Sequence, residues 1–194
     1  NGSSGSLPST GGGLTAVGNT LYFQANNGIN GTELWKSDGT ASGTVMVKDI
    51  YNGSGDSFSN GFTAVGNTLY FTANDGTNGY ELWKSDGTAN GTMMVKDINN
   101  GSFSSLPAYY VSTGGLTAVG NTIYFAASDG TNGLELWKSD GTSSGTVMVK
   151  DINIQSGPFQ GSSSPRGFTA VGNTIYFSAD DGIYGYELWM YGLD

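Results

Sequence analysis

The sequence contains no cysteine and no histidine, and Lys plus Arg number 7 against 16 for Asp plus Glu. Without cysteine there are no disulfides, thiolate metal ligands or thiol nucleophiles, and the redox compartment stays open. Without histidine the commonest general base near neutral pH is gone as well. The scarcity of cations has its own consequence. A formal net charge of −9 would repel a phosphate backbone rather than release its counterions, so nucleic acid and anionic membrane are poor candidate partners. There is no run of about 18 apolar residues and no basic-then-apolar leader, so nothing is expected to span a membrane, and the chain reads as a mature soluble piece. Nor does any stretch hold an apolar period of 3.6 residues, which argues against helix throughout.

What is abundant is glycine, at 33 of 194 residues, together with Asn, Ser, Thr and an aromatic fraction of 12%. That aromatic content is too high for a linker and suits short strands joined by tight turns. The string Glu-Leu-Trp occurs at Glu33–Trp35, Glu81–Trp83, Glu135–Trp137 and Glu187–Trp189, and holds every Glu and every Trp of the chain. Recurrence of about fifty residues is the signature of a repeat array.

Turn chemistry divides each unit. Gly18-Asn19 separates Leu14–Val17 from Thr20–Phe23, and Gly-Asn between two β-rich runs is a two-residue hairpin signal. The pattern returns at Gly66-Asn67, Gly120-Asn121 and Gly172-Asn173. A second polar turn, such as Asn74-Asp75-Gly76-Thr77-Asn78-Gly79, leads to a third strand at Tyr80–Lys84, and Ser85-Asp86-Gly87-Thr88 leads to a fourth at Thr92–Ile98. One unit is thus a four-stranded meander. The repeats fall at 14–50, 62–98, 116–152 and 168–194, with connectors at 1–13, 51–61, 99–115 and 153–167. A four-stranded unit of this period matches the blade of a β-propeller, and the expectation is an all-β, single-domain propeller of four blades over residues 1–194. The last blade lacks its fourth strand unless the N-terminal segment or another chain supplies it. An uncompleted edge would be a hydrogen-bonding liability.

The stretches Glu-Leu-Trp-Lys-Ser-Asp-Gly-Thr at 33–40, 81–88 and 135–142 resemble the ELW-x-x-DGT repeat of large secreted or surface-attached bacterial proteins. The resemblance covers essentially the whole chain and departs at the fourth copy, where Trp189 is followed by Met190-Tyr191-Gly192. It implies a propeller-like arrangement and an extracellular or cell-surface location, and implies little about a ligand.

Two readings compete for the repeated residues. Trp35, Trp83, Trp137 and Trp189 could stack on sugars, with Glu33, Glu81, Glu135 and Glu187 accepting hydroxyl hydrogen bonds. The alternative is that the indoles fill the space between blades and the carboxylates bridge to backbone or lysine, as packing of identical units requires. Tyr109 and Tyr110, with Phe58, Phe103 and Phe159, stand in connectors, where a rigid scaffold displays binding loops. Asp75, Asp129 and Asp181 in the second turn are candidates for Ca²⁺, because carboxylate and carbonyl oxygens converge in such loops, and no other cofactor is expected. Asp38, Asp86 and Asp140 are expected to cap their own turns. The Lys-Asp pairs 48–49, 96–97 and 150–151 are expected to be solvated.

Catalysis is not expected. Arg166 is the only arginine, whereas a sialidase-type site needs several, and a two-carboxylate hydrolase would use acids that occur once, while nearly every acid here is repeated. The expected function is a non-catalytic module, either a carbohydrate-binding, lectin-like or adhesive propeller or a structural, self-assembling module. Its partners would be glycans, an extracellular protein surface or another copy of the chain.

Overall fold

The computed structural model describes residues 13–57, 60–106, 115–155 and 161–192. The fold is all-β. Among the described residues fifteen strands form four antiparallel sheets, each a simple meander. The first sheet holds β1 (Thr15–Val17), β2 (Thr20–Asn26), β3 (Thr32–Ser37) and β4 (Val45–Lys48). The second holds β5 (Asn60–Val65), β6 (Thr68–Asn74), β7 (Tyr80–Ser85) and β8 (Met93–Lys96). The third holds β9 (Thr117–Val119), β10 (Thr122–Ser128), β11 (Leu134–Ser139) and β12 (Val147–Lys150). The fourth has three strands, β13 (Arg166–Val171), β14 (Thr174–Asp180) and β15 (Tyr186–Gly192). Strands β5 and β13 begin two residues ahead of the repeats expected from 62 and 168.

The hairpin signal is realised through backbone conformation. Gly18, Gly66, Gly120 and Gly172 all have φ between 56° and 58°. Positive φ at the first loop position only is the type II′ pattern, whose twist matches that of the flanking strands. The same register follows in each copy, with Phe23 opposite Trp35, Phe71 opposite Trp83, Phe125 opposite Trp137 and Phe177 opposite Trp189.

Hydrophobic burial occurs between sheets, not within any one of them. Three core clusters each draw on two successive sheets. In the first, Val17, Tyr22, Leu34 and Val47 meet Leu69, Phe71, Ala73 and Trp83. In the second, Tyr70, Leu82 and Val95 meet Ile123, Phe125 and Trp137. In the third, Val119, Tyr124 and Leu136 meet Ile175, Phe177 and Ala179, with Trp189 packed against them. The leading strands β1, β5, β9 and β13 contact one another in chain order, and among the described residues no contact of that extent joins β13 back to β1. The sheets therefore follow one another about their leading strands, as in a propeller.

Candidate functional site: the joints between sheets

The Glu-Leu-Trp units are built into these joints. Alternation along a strand sends Leu34 and Trp35 to opposite faces. Leu34, Leu82 and Leu136 meet the following sheet, while Trp83 and Trp137 receive the preceding one. Trp83 and Trp137 are only 6% exposed, so neither offers a ring face to a sugar. Trp35 and Trp189 are half-buried. The Trp189 indole donates to the Ala179 carbonyl at 3.2 Å, whereas the N–H groups of Trp35, Trp83 and Trp137 are buried without an acceptor among the described residues. That cost is accepted in exchange for packing.

Each buried glutamate holds down the connector that follows it. Glu33 accepts from the amides of Ile50 (2.9 Å), Tyr51 (3.3 Å) and Ser57 (3.2 Å). Glu81 accepts from Ile98 and Ser105 amides at 3.0 Å and from the Ser105 hydroxyl at 2.5 Å. Glu135 repeats this with Ile152 at 2.9 Å and with the Ser163 amide and hydroxyl at 2.8 and 2.6 Å. Burial pushes the carboxyls of Glu33 and Glu81 up to about 7 against these donors, which pull the other way, and raises Glu135 as well. Glu187, in the fourth sheet, is exposed.

The serine of each latch also joins neighbouring sheets. Ser57 donates its amide to Thr32 (3.0 Å) and its carbonyl accepts from Asn74 (3.1 Å), so it spans the first and second sheets. Ser105 lies between Tyr80 and Ser128 in the same way, and Ser163 accepts from Asp180 at 2.9 Å. Sequence reasoning missed these serines. Glu and Ser are 24 residues apart in the first two copies and 28 in the third, so a connector insertion hides the spacing. The signal available was the matching interval of the first two.

Lys48 and Lys96 are not simply solvated, contrary to expectation, while Lys150 is exposed. Lys48 donates to the Thr92 carbonyl (2.7 Å) and lies 5.8 Å from the Trp83 ring, and Lys96 does the same with Thr146 (2.8 Å) and Trp137 (5.8 Å). Lys150 lies 5.1 Å from Trp189. Lys36 and Lys84 donate to the carbonyls of Gly87 and Gly141 at 2.8 Å. An ammonium beside an indole ring that also donates a hydrogen bond to a carbonyl makes both electrostatic contacts at once. Each lysine thus reaches the next sheet, where a free outer strand was expected.

The acidic turns are self-contained. Asp75 accepts from the amides of Thr77 and Asn78 and from the Asn78 side chain, Asp129 repeats these bonds with Thr131 and Asn132, and Asp181 accepts from Ile183 and Tyr184. Hydrogen bonds hold these carboxyls below their usual range, against some desolvation at Asp75 and Asp129. Asn27 fills the same place in the first copy with the same amide bonds to Ile29 and Asn30. An amide suffices there, so the geometry of the turn is explained without an ion. Asp38, Asp86 and Asp140 cap their turns through Thr40, Thr88 and Thr142, as expected. Among the described residues no three acidic side chains converge as metal ligands would.

Tyr109, Tyr110, Phe58 and Phe159 lie outside the described residues. Phe103 is 69% exposed and Tyr184, unsuspected from the sequence, 78%.

No protein-family profile and no curated protein matches the chain. Solved structures do. A puromycin hydrolase superposes with a TM-score of 0.61 at 15% identity over 93% of this chain, and a puromycin-hydrolyzing peptidase of Mycobacterium tuberculosis with 0.57 at 12% over 96%. The chain spans 27% and 29% of those proteins' lengths. At that identity the likeness shows a propeller-like, all-β fold and nothing of activity.

Proposed function

We propose that the chain is a non-catalytic scaffold module of propeller type, working by assembly through its sheet faces, in an extracellular or cell-surface protein of the ELW-x-x-DGT repeat kind. One observation carries the reading. The repeated residues with the strongest chemistry in the first three copies, Glu33, Glu81 and Glu135, with Trp83, Trp137, Lys48 and Lys96, are occupied within the joints between sheets. What remains for a partner is the sheet faces that no neighbour covers, and the loops. A four-bladed closed ring would require the first and fourth sheets to meet, which the described residues do not support.

A second reading keeps the glycan-binding, adhesive function and moves it from the indoles to the loops, on the strength of the exposed Phe103 and Tyr184 rings. Static light scattering separates the two when combined with a glycan array. The scaffold reading predicts a species heavier than the 20.1 kDa chain and no glycan captured by the wild type. A dispersed monomer that captures glycans through Phe103 or Tyr184 would replace it with the adhesive reading.

A further inference from the structure

The three joints are alike and run head to tail. Each takes a Val, a Tyr and a Leu from one sheet and a Leu or Ile, a Phe and a Trp from the next: Val17, Tyr22 and Leu34 on Leu69, Phe71 and Trp83 in the first, and Val119, Tyr124 and Leu136 on Ile175, Phe177 and Trp189 in the third. Strand register carries the same two sets to the faces that no sheet of the described residues covers. The fourth sheet presents Val171, Tyr176 and Leu188 outward, and the first presents Leu21, Phe23 and Trp35.

Exposure marks both as half-joints. Leu188 is 77% exposed where Leu34 and Leu82 are fully buried, and Val171 is exposed where Val17 and Val119 are buried. Leu21, Phe23 and Trp35 are half-buried, whereas Leu69, Phe71 and Trp83 are buried. A Cβ placed at Gly87 or Gly141 would strike the hydroxyl of Tyr22 or Tyr70 from the preceding sheet, while one at Gly39 would meet nothing. Met190 stands where Lys36, Lys84 and Lys138 stand in the other sheets, and it is exposed. At that position the outward face of the fourth sheet is thus apolar where its counterparts carry an ammonium, and exposed Met190, Leu188 and Val171 have an unfavourable neighbour in water.

We propose that this face docks on the first sheet of a second copy of this chain, repeating the internal joint between molecules. The contact is heterologous, so it closes into a ring wherever the rotation allows, two copies and eight sheets being the smallest. The proposal rests on the assembly reading above and names the surfaces involved. Sedimentation velocity of the 194-residue chain across the micromolar range tests it, with Leu188→Lys and Leu21→Lys as variants whose folding is checked by circular dichroism. Each substitution places a charge in the apolar contact and is expected to weaken association at least about tenfold. Mixing the two variants restores a two-chain species, because each contributes the half that the other lacks. Should Leu21→Lys disturb the fold, Leu21→Gln takes its place under the same expectation. A lone monomer at every concentration would overturn both this proposal and the assembly reading. Association undiminished in both variants would leave assembly standing and remove this junction. Loss with Leu188→Lys but not with the Leu21 variant would mean that two fourth sheets meet face to face, and also overturns it.

Discussion

At Glu81 the carboxyl is surrounded by N–H and O–H donors and still titrates near 7, because burial outweighs them. The consequence for stability has a definite sign. Glu33 and Glu81 rise from 4.5 to about 7 on folding, and Glu135 also rises, so between those values the folded chain holds more protons than the unfolded one. Stability from these groups is fully present below the unfolded value and is lost as pH rises through the folded one. The turn aspartates Asp38, Asp86 and Asp140 act oppositely, since their pKa values are lowered from 3.8 by threonine hydrogen bonds. Their contribution is present above 3.8 and is lost as pH falls through the folded value. The urea midpoint should therefore be higher at pH 5 than at pH 8 and fall again in strong acid. Self-repulsion at a net charge of −9 works in the same direction between pH 5 and 8, so the control is Glu81→Gln. That variant must flatten the slope; an unchanged slope would show that Glu81 does not titrate in the window.

The strands and their turns were legible because each is specified locally. Gly-Asn fixed the hairpins, Asp-Gly-Thr the turns after each Glu-Leu-Trp strand of the first three copies, and alternation the opposite facing of Leu34 and Trp35. The roles of Glu81 and Lys96 were less legible, since both depend on what the next repeat brings alongside. The latch serine was hidden by a connector of variable length, and a lysine beside an aspartate on an outer strand looks solvated until the neighbouring sheet is placed. The joint also explains an otherwise ordinary glycine. Gly39 and Gly87 share a positive φ of 92° and 87°, so Ala carries similar backbone strain at each, about 1–2 kcal/mol. Only Gly87 lies under the Tyr22 hydroxyl of the preceding sheet. Gly87→Ala should lower stability by about 1–3 kcal/mol more than Gly39→Ala, the range for overpacking. Equal losses in chemical denaturation would mean that Tyr22 does not press on the turn.

For the whole molecule, the joints matter more than the sheets. A four-stranded sheet with apolar side chains on both faces has no core of its own, and stability in such arrays is a sum of units and nearest-neighbour interfaces. Sequence alone placed the repeat and its phase, but left open whether the Glu-Leu-Trp motif faces a ligand or a neighbour. The three core clusters resolve that for Trp83 and Trp137, which lie between sheets, while the exposed Leu188 and the open space at Gly39 show where the succession has uncovered faces. The central claim is that the buried glutamates bind connectors and not ligands. Amide hydrogen exchange tests it most directly. The amides of Ile98, Ser105, Ile152 and Ser163, all in connecting segments, should exchange as slowly as those of the central strands β6 and β10, because Glu81 and Glu135 hold them in the core. Exchange at those four amides as fast as in the exposed turn at Thr77 would contradict the account.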